Sequence, residues 1–273
     1  MIGAIAALLA LGSCGALAKK NVKSLGRQRA IVYFYLVLVS LLAAGTLILG
    51  VDVSLPGELL ADYAALVVIG AIAVIAYFKA MEKGMISVLA PLGKVHVLIV
   101  MGFSIAFFGE VLSIMQIAGS MIIIASAAVI ALDRGIRIEK GVNYMLIAIL
   151  GWGYYFTFLK TFVTALGPYA ATVVSETGVA SLVILYYIAK RSRLSLPSAE
   201  HSPYVLAHGS LLFIGILLYN YSISIIGAAL TASVVAAAPI INSLASYFLL
   251  GEKLDNHKYL AIALMVLGLI LLL

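Results

Sequence analysis

Long apolar stretches alternate with short polar connections along the whole chain. Each stretch has the roughly 17 to 25 residues that a helix needs to cross the hydrocarbon core of a bilayer. The pattern predicts an all-α integral membrane protein with ten transmembrane helices. The predicted spans are approximately Ile2–Ala18, Ala30–Gly50, Ala64–Met81, Met85–Phe108, Val111–Leu132, Val142–Val163, Tyr169–Ala189, Tyr204–Ile226, Ala228–Leu250 and Asn256–Leu273.

The second half of the chain repeats glycine and polar positions of the first half about 141 residues later. The matching pairs are Gly12 and Gly153, Lys19 and Lys160, Gly26 and Gly167, Tyr77 and Tyr219, Ser104 and Ser246, and Glu110 and Glu252. Because each half is predicted to hold five helices, an odd number, two copies in one membrane must have opposite orientations. We therefore predict two inverted five-helix repeats, residues 1–136 and 137–273.

Composition restricts where the chemistry can lie. The chain is 64% hydrophobic and 10% charged, with a mean hydropathy of +1.19, so little of it can be exposed to water. The predicted loops are too short for a separate catalytic or regulatory domain, which leaves the function inside the membrane. The single cysteine, Cys14, excludes an intramolecular disulfide and an all-cysteine metal site.

The basic residues predict an orientation. Of the 17 lysines and arginines, 15 lie in the loops that follow the odd-numbered spans or within three residues of those loops. The positive-inside rule places those loops in the cytoplasm and both termini on the non-cytoplasmic side of a cell membrane. The net charge of +6 then reflects membrane topology, and the scattered basic loops argue against nucleic-acid binding.

Lys94 is a candidate substrate ligand, because it lies well inside the fourth predicted span, where an uncompensated charge would cost on the order of 3 kcal/mol. Pro91 and Gly93 precede it and loosen the backbone, which is tolerated at membrane depth where it lines a polar cavity. His96 is a second candidate, for proton coupling, although its position around a regular helix points it away from Lys94. A histidine satisfied within the core is the alternative.

Glu176 is the acid predicted to lie deepest in the membrane, about eight residues into the seventh span. A carboxylate is costly to keep ionised there, which makes Glu176 a candidate proton carrier. A structural ion pair with Lys94 or Lys160 is the alternative, because buried charges are usually paired.

Aromatic and amide side chains complete the predicted substrate site. Tyr77 and Tyr219 present a hydroxyl from each half, while Trp152, Tyr155 and Asn220 lie on the sixth and eighth spans. Helix packing is the alternative for the aromatics, and hydrogen bonding between helices is the alternative for Asn220 and for Asn242 on the ninth span.

The repeated Gly109-Glu110 and Gly251-Glu252 pairs have a structural explanation. Glycine can end a helix in the left-handed conformation, and glutamate meets the positive N-terminal end of the next helix. Lys19 and Lys160 are interpreted as interfacial anchors at helix ends.

Several short motifs carry a family resemblance. They are Leu150-Gly151-Trp152-Gly153 with a lysine at the end of the same helix, and Ala236-Ala237-Ala238-Pro239 followed by Phe248-Leu249-Leu250-Gly251-Glu252. With the five-plus-five repeat, the chain resembles the EamA family of the drug/metabolite transporter superfamily. The resemblance implies a secondary transporter, commonly an exporter of amino acids or other small metabolites, that works without a bound cofactor.

These observations predict a secondary active transporter that moves a small amphipathic metabolite by alternating access, with Glu176 and His96 as candidates for proton coupling. A flippase for a lipid-linked substrate is the alternative within transport. An intramembrane enzyme is less well supported, because no hydrolase or metalloprotease motif and no metal site is present. A structural membrane protein would leave Lys94 and Glu176 without a purpose. The expected partners are a small-molecule substrate and membrane lipid, and the sequence is compatible with a monomer or a homodimer.

Overall fold

The computed structural model describes residues 1–83, 86–132, 140–190, 198, 200–250 and 256–273. Within these residues the chain folds into twelve α-helices and one 3₁₀ turn, Gly57–Leu59. The helices are α1 (Ile2–Leu25), α2 (Arg27–Leu49), α3 (Leu60–Lys83), α4 (Ile86–Gly93), α5 (His96–Phe108), α6 (Ile114–Leu132), α7 (Val142–Leu166), α8 (Pro168–Ala189), α9 (Ser202–Ile226), α10 (Ala228–Val235), α11 (Ala238–Leu250) and α12 (Asn256–Leu272).

Eight segments of the described chain are long and apolar enough to cross a membrane. Two further apolar segments, Ile114–Val129 and Tyr259–Leu272, are shorter. The protein is therefore an all-α, multi-pass membrane protein, as the sequence predicts. The count of ten spans remains a prediction, since eight segments of the described chain meet the length and hydropathy of a membrane span.

Two of the predicted spans are interrupted. The sequence predicts continuous helices over Met85–Phe108 and Ala228–Leu250, but α4 ends at Gly93 before α5, and α10 ends at Val235 before α11. Proline lacks an amide hydrogen and prevents a regular hydrogen-bond ladder. At both breaks a hydrogen bond closes over three residues in place of four: the Lys94 N–H donates to the Pro91 carbonyl at 2.9 Å, and the Ala237 N–H donates to the Val234 carbonyl at 3.2 Å.

The two interruptions occupy corresponding positions in the halves of the chain. The turn at residues 94–95 and the turn at 236–237 are separated by the same 142 positions as Tyr77 and Tyr219. Pro91 precedes the first turn, whereas Pro239 follows the second. The halves therefore reach a broken helix at equivalent places through differently positioned prolines.

Helix packing also follows the correspondence between halves. α1 packs on α9 while its counterpart α7 packs on α3, and α1 contacts α11 as α7 contacts α5. A Cβ atom added at Gly12 would lie 2.6 Å from Cβ of Ile241, and one added at Gly153 would lie 2.6 Å from Cβ of Ile99. Small residues permit such close approach of helices in membranes.

The connection between α5 and α6 differs from the prediction at its end. The fifth span was expected to begin at Val111, but α6 begins at Ile114. Ser113 and Gln116 explain the difference, because the Gln116 N–H donates to Ser113 Oγ at 3.2 Å and the Ser113 N–H donates to Gln116 Oε1 at 3.0 Å. This reciprocal capping box satisfies amides that open a helix and sets its first residue.

Gly109 and Glu110 have separate roles at this connection. Gly109 ends α5 with φ 61° and ψ 27°, the left-handed cap that the sequence predicts. Glu110 was expected to meet the start of the next helix, but it accepts hydrogen bonds from the Ala228 and Ala229 amides of α10, both at 2.8 Å. Lys160 completes the arrangement at 2.6 Å from Glu110. The equivalent Gly251 and Glu252 lie outside the described residues.

Candidate functional site

A cavity of about 270 Å³ lies between the two halves. Its walls come from α1, α2, α3, α7, α8 and α9 and from the two interrupted helices. Pro91 and Lys94 bring the first interruption to the cavity, and Ala236 and Pro239 bring the second. Pockets for drug-sized ligands typically occupy about 300–1,000 Å³, so this volume suits a small molecule.

Lys94 and His96 both line the cavity, although a regular helix would point them in different directions. The turn at residues 94–95 removes that conflict, because it ends α4 and starts α5 at His96. His96 Nδ1 lies 2.7 Å from the Gly93 carbonyl oxygen, which can only accept a hydrogen bond. Nδ1 must therefore carry the proton, and in the neutral ring Nε2 is an acceptor.

Lys94 has no acidic partner within ion-pair distance among the described residues. Its side chain is half-buried on the cavity wall. Glu176 faces the same cavity from α8 and is 6% exposed. Among the described residues that line this space, Lys94 is the one lysine or arginine and Glu176 is the one acid.

Tyr155 holds one oxygen of the Glu176 carboxyl group. The Tyr155 hydroxyl, from α7, donates a hydrogen bond of 2.8 Å to Glu176 Oε1. Gly70 of α3 permits this placement, because a Cβ there would come within 2.8 Å of the Tyr155 ring. In the described part of the chain Glu176 forms no ion pair with Lys94 or Lys160, and the amine of Lys160 contacts Glu110 instead. The sequence alternative of a Glu176 ion pair therefore has no support in this geometry.

Aromatic rings connect the two predicted tyrosines across the cavity. Tyr77 and Trp152 have ring centroids 4.7 Å apart, and Trp152 meets the edge of His96 at 5.8 Å. Phe156 bridges His96 and Tyr219, at 5.4 and 5.1 Å. Tyr219 is 3% exposed, and its hydroxyl has no hydrogen-bond partner among the described residues. It is thus a buried donor available to a ligand or to water.

Asn220 is the predicted site residue that does not line the cavity. It is fully buried, and its Nδ2 donates to Thr172 Oγ1 at 2.7 Å. This bond joins α9 to α8, so the side chain turns away from Tyr219, its neighbour in sequence. The alternative interpretation, hydrogen bonding between helices, describes its geometry.

Two further polar residues line the cavity: His208, which was not predicted from the sequence, and Asn242, which was named among the amides of the predicted site. His208 of α9 lines it, with its ring centroid 4.5 Å from that of Phe34 and its Nδ1 3.4 Å from Asn21 Nδ2. Asn242 of α11 lines it beside Gly15 of α1, where a Cβ would come within 2.5 Å of the amide oxygen. Nothing in the sequence distinguishes His208 as a cavity residue.

The arrangement suits the binding of a small, partly polar molecule. Lys94 can neutralise an anionic group, Glu176 can hold or release a proton, and the rings of Tyr77 and Trp152 can cover an apolar or planar moiety. Within the described residues, no group of three or more His, Cys, Asp or Glu side chains could hold a metal ion.

Comparison with known proteins agrees with this architecture. The family model of the EamA-like transporter family matches residues 1–132 and again residues 139–273. No curated protein matches the sequence significantly. A solved crystal structure superimposes with a TM-score of 0.83 over 99% of this chain and 94% of the other, at 19% identity, which establishes a shared fold. Because the two family matches together cover nearly the whole chain, the protein belongs to the EamA-like transporter family, part of the drug/metabolite transporter superfamily.

Proposed function

We propose that this chain is a secondary active transporter that exports a small amphipathic metabolite by alternating access. In this proposal ten spans form two inverted five-helix repeats, divided near residue 136, around a site near the middle of the bilayer. The corresponding interruptions after Gly93 and Val235 support it, since broken helices at a repeat interface are typical of transporter binding sites. Rocking of one repeat against the other would expose the cavity to each side in turn.

Lys94 is the observation that carries the substrate assignment. Lys94 lines the cavity and forms no ion pair with an acid among the described residues. A charge at membrane depth is costly unless an opposite charge or water compensates it. A carboxylate or another anionic group on the substrate would provide that compensation. Tyr77 and Trp152 beside it would hold the apolar or planar part of the same molecule.

Glu176 is assigned the coupling of transport to protons. Its environment in α8 is desolvated, and one carboxyl oxygen is held by Tyr155. A buried carboxyl group can accept a proton when the cavity opens to the acidic side and release it on the other. His96, with Nε2 as an acceptor, is the second group able to take part.

Counterflow in proteoliposomes tests the proposal. Purified protein is reconstituted with an internal pool of one unlabelled metabolite, and uptake of the labelled compound is followed across a panel of small carboxylates, matched amines and neutral analogues. We expect counterflow for anionic or zwitterionic members of the panel and none in protein-free liposomes. Counterflow that is as fast for the neutral analogues as for the carboxylates would contradict the assigned role of Lys94. Identical counterflow in wild type and Lys94→Met would contradict it as well.

A further inference from the structure

A cluster of cations surrounds two tyrosine rings at the basic end of the helix bundle. We call it the Lys79 cluster and define it as Lys79 and Lys83 of α3, Tyr144 of α7, Tyr186 of α8, and Lys190 after α8. The amine of Lys79 lies 5.7 Å from the centre of the Tyr144 ring and 5.6 Å from that of Tyr186. Lys83 lies 4.6 Å from the Tyr144 ring, and Lys190 lies 5.1 Å from the Tyr186 ring.

Within the described residues, none of the three lysines forms an ion pair with an acidic side chain. Lys79 and Lys83 are four residues apart on one helix, a spacing at which like charges destabilise a helix. Glu82, the nearest acid in sequence, forms an ion pair with Arg27. An anion between the amines would relieve this repulsion.

The tyrosines provide hydrogen-bonding groups at the same place. Lys83 Nζ donates to the Tyr144 hydroxyl at 3.4 Å, and that hydroxyl retains its own proton to donate. Close packing of Gly141 on α3, where a Cβ would lie 2.7 Å from the Ala80 carbonyl oxygen, brings the start of α7 beside the lysines. The cluster thus offers several cations and hydroxyl donors converging from three helices, which is suited to a phosphate group.

Exposed apolar side chains extend from the cluster toward the bilayer core. Ile147, one turn after Tyr144 on α7, is 44% exposed, and Ile72, two turns before Lys79 on α3, is 50% exposed. In a membrane-spanning bundle such surfaces contact acyl chains. A ligand that binds the lysines through a phosphate and covers these residues with hydrocarbon is a phospholipid, whereas a soluble phosphate would leave the apolar surface unused.

We propose that the Lys79 cluster is a binding site for the phosphate headgroup of an anionic phospholipid in the leaflet next to the basic loops. Basic pockets between transmembrane helices bind anionic headgroups in this manner, with about 1 kcal/mol for each lysine or arginine near the surface, or about a fivefold change in affinity. The site is separate from the substrate cavity, because none of the five cluster residues lines that cavity.

The test is a lipid titration of the full-length protein in a neutral detergent, followed by native mass spectrometry. Phosphatidylglycerol is compared with phosphatidylcholine and with inorganic phosphate. We expect wild type to favour phosphatidylglycerol, Lys83→Gln/Lys190→Gln to lose about 25-fold in its affinity, and phosphatidylcholine binding to stay unchanged. The control is Lys20→Gln/Lys23→Gln, which removes two charges from the same end of the bundle.

The outcomes separate the possible ligands. Equal losses in the cluster and control variants would mean general attraction of anionic lipid to the basic surface and would overturn the site. Competition by inorganic phosphate at the concentration that saturates phosphatidylglycerol would show a free-phosphate site. Lys79→Gln alone replaces the double variant if the latter does not fold, and unchanged phosphatidylglycerol affinity in that variant would also contradict the proposal.

Discussion

Lys160 Nζ lies 2.6 Å from Glu110 Oε1, and this ion pair links three helices. The same Glu110 carboxylate accepts the first amides of α10, while Lys160 belongs to α7 and Glu110 follows α5. Gly227 makes room for it, since a Cβ there would lie 2.7 Å from the carboxyl group. Because the Glu110 side chain is only 10% exposed, this contact is largely shielded from water.

Glu110→Gln should destabilise the protein by about 1.5–3 kcal/mol, the range for hydrogen bonds to charged groups. The glutamine side chain has one acceptor oxygen in place of two, so it cannot accept equally well from the backbone N–H groups of Ala228 and Ala229. It also leaves Lys160 without its counter-ion. Unfolding in detergent, followed by circular dichroism over a denaturant series, measures the change.

A matched control for this variant is Glu82→Gln, which breaks the Arg27–Glu82 pair. Glu82 is 52% exposed, so the loss should stay below about 1 kcal/mol. Similar losses in both variants would show that shielding of Glu110 does not strengthen its contact.

Gly153→Ala should destabilise the protein by about 1–3 kcal/mol through overpacking against α5. The new Cβ would lie 2.6 Å from Cβ of Ile99, so a shorter side chain at Ile99 that retains Cβ cannot remove the clash. In a double-mutant cycle, Gly153→Ala should therefore still destabilise the Ile99→Ala background, whereas it should cost less in the Ile99→Gly background.

The control for Gly153→Ala is Gly102→Ala on α5, because no neighbouring atom of the described residues lies within 4 Å of a Cβ there. This variant should be neutral or slightly stabilising, since alanine favours a helix over glycine. Full rescue of Gly153→Ala by Ile99→Ala would refute the Cβ contact as the cause. Thermal unfolding midpoints of the wild type, the single variants and the double variants provide the comparison.

Lys94→Met should abolish the protection that a substrate gives against thermal unfolding while the protein still folds. Losing the charge partner of an anionic substrate costs about 2 kcal/mol or more, or at least roughly 30-fold in affinity. Lys20→Met is the control, because Lys20 lies over the Tyr204 ring at 3.5 Å, away from the cavity lining. Binding of wild-type strength in Lys94→Met would reassign Lys94 to a structural role.

Glu176→Gln should exchange substrate across the membrane but fail to concentrate it with a pH gradient, because glutamine imitates the protonated acid and cannot release a proton. Paired exchange and gradient-driven uptake assays in proteoliposomes measure the two activities. The control is Glu82→Gln, which removes an acid that does not line the cavity, so this variant should still accumulate substrate. Gradient-driven accumulation in Glu176→Gln would exclude Glu176 from proton coupling and would make His96 the next residue to test.

The orientation of the chain is predicted from charge alone. A reporter that is active only outside the cytoplasm, fused after Leu273, should be active, because the basic loops stay inside. The same reporter inserted after Lys190 should be silent. Strong activity of a cytoplasmic reporter at Leu273 would reverse the orientation and leave the repeat relationship intact, since that relationship depends on helix number.

Much of this protein is determined locally in its sequence. The apolar lengths specify membrane helices, since a bilayer has no water to satisfy free backbone groups. The repeated pairs anticipate matching packing of Gly12 on Ile241 and Gly153 on Ile99. The motifs that resemble the EamA family agree with the family match over both halves. The apolar lengths can be read from sequence because they depend only on neighbours along one helix. The glycine contacts can be read because the same contact recurs in both halves.

Tertiary structure decided the partners of the polar groups. Glu110 caps a helix that begins more than a hundred residues later, Asn220 bonds Thr172 outside the cavity, and Glu176 meets Tyr155 in place of a lysine. The break at 236–237 also lay within a stretch predicted as one helix. A hydrogen bond requires a donor–acceptor distance that is correct within tenths of an ångström and a suitable angle. For groups on different helices, only the packing of the whole bundle sets that distance and angle.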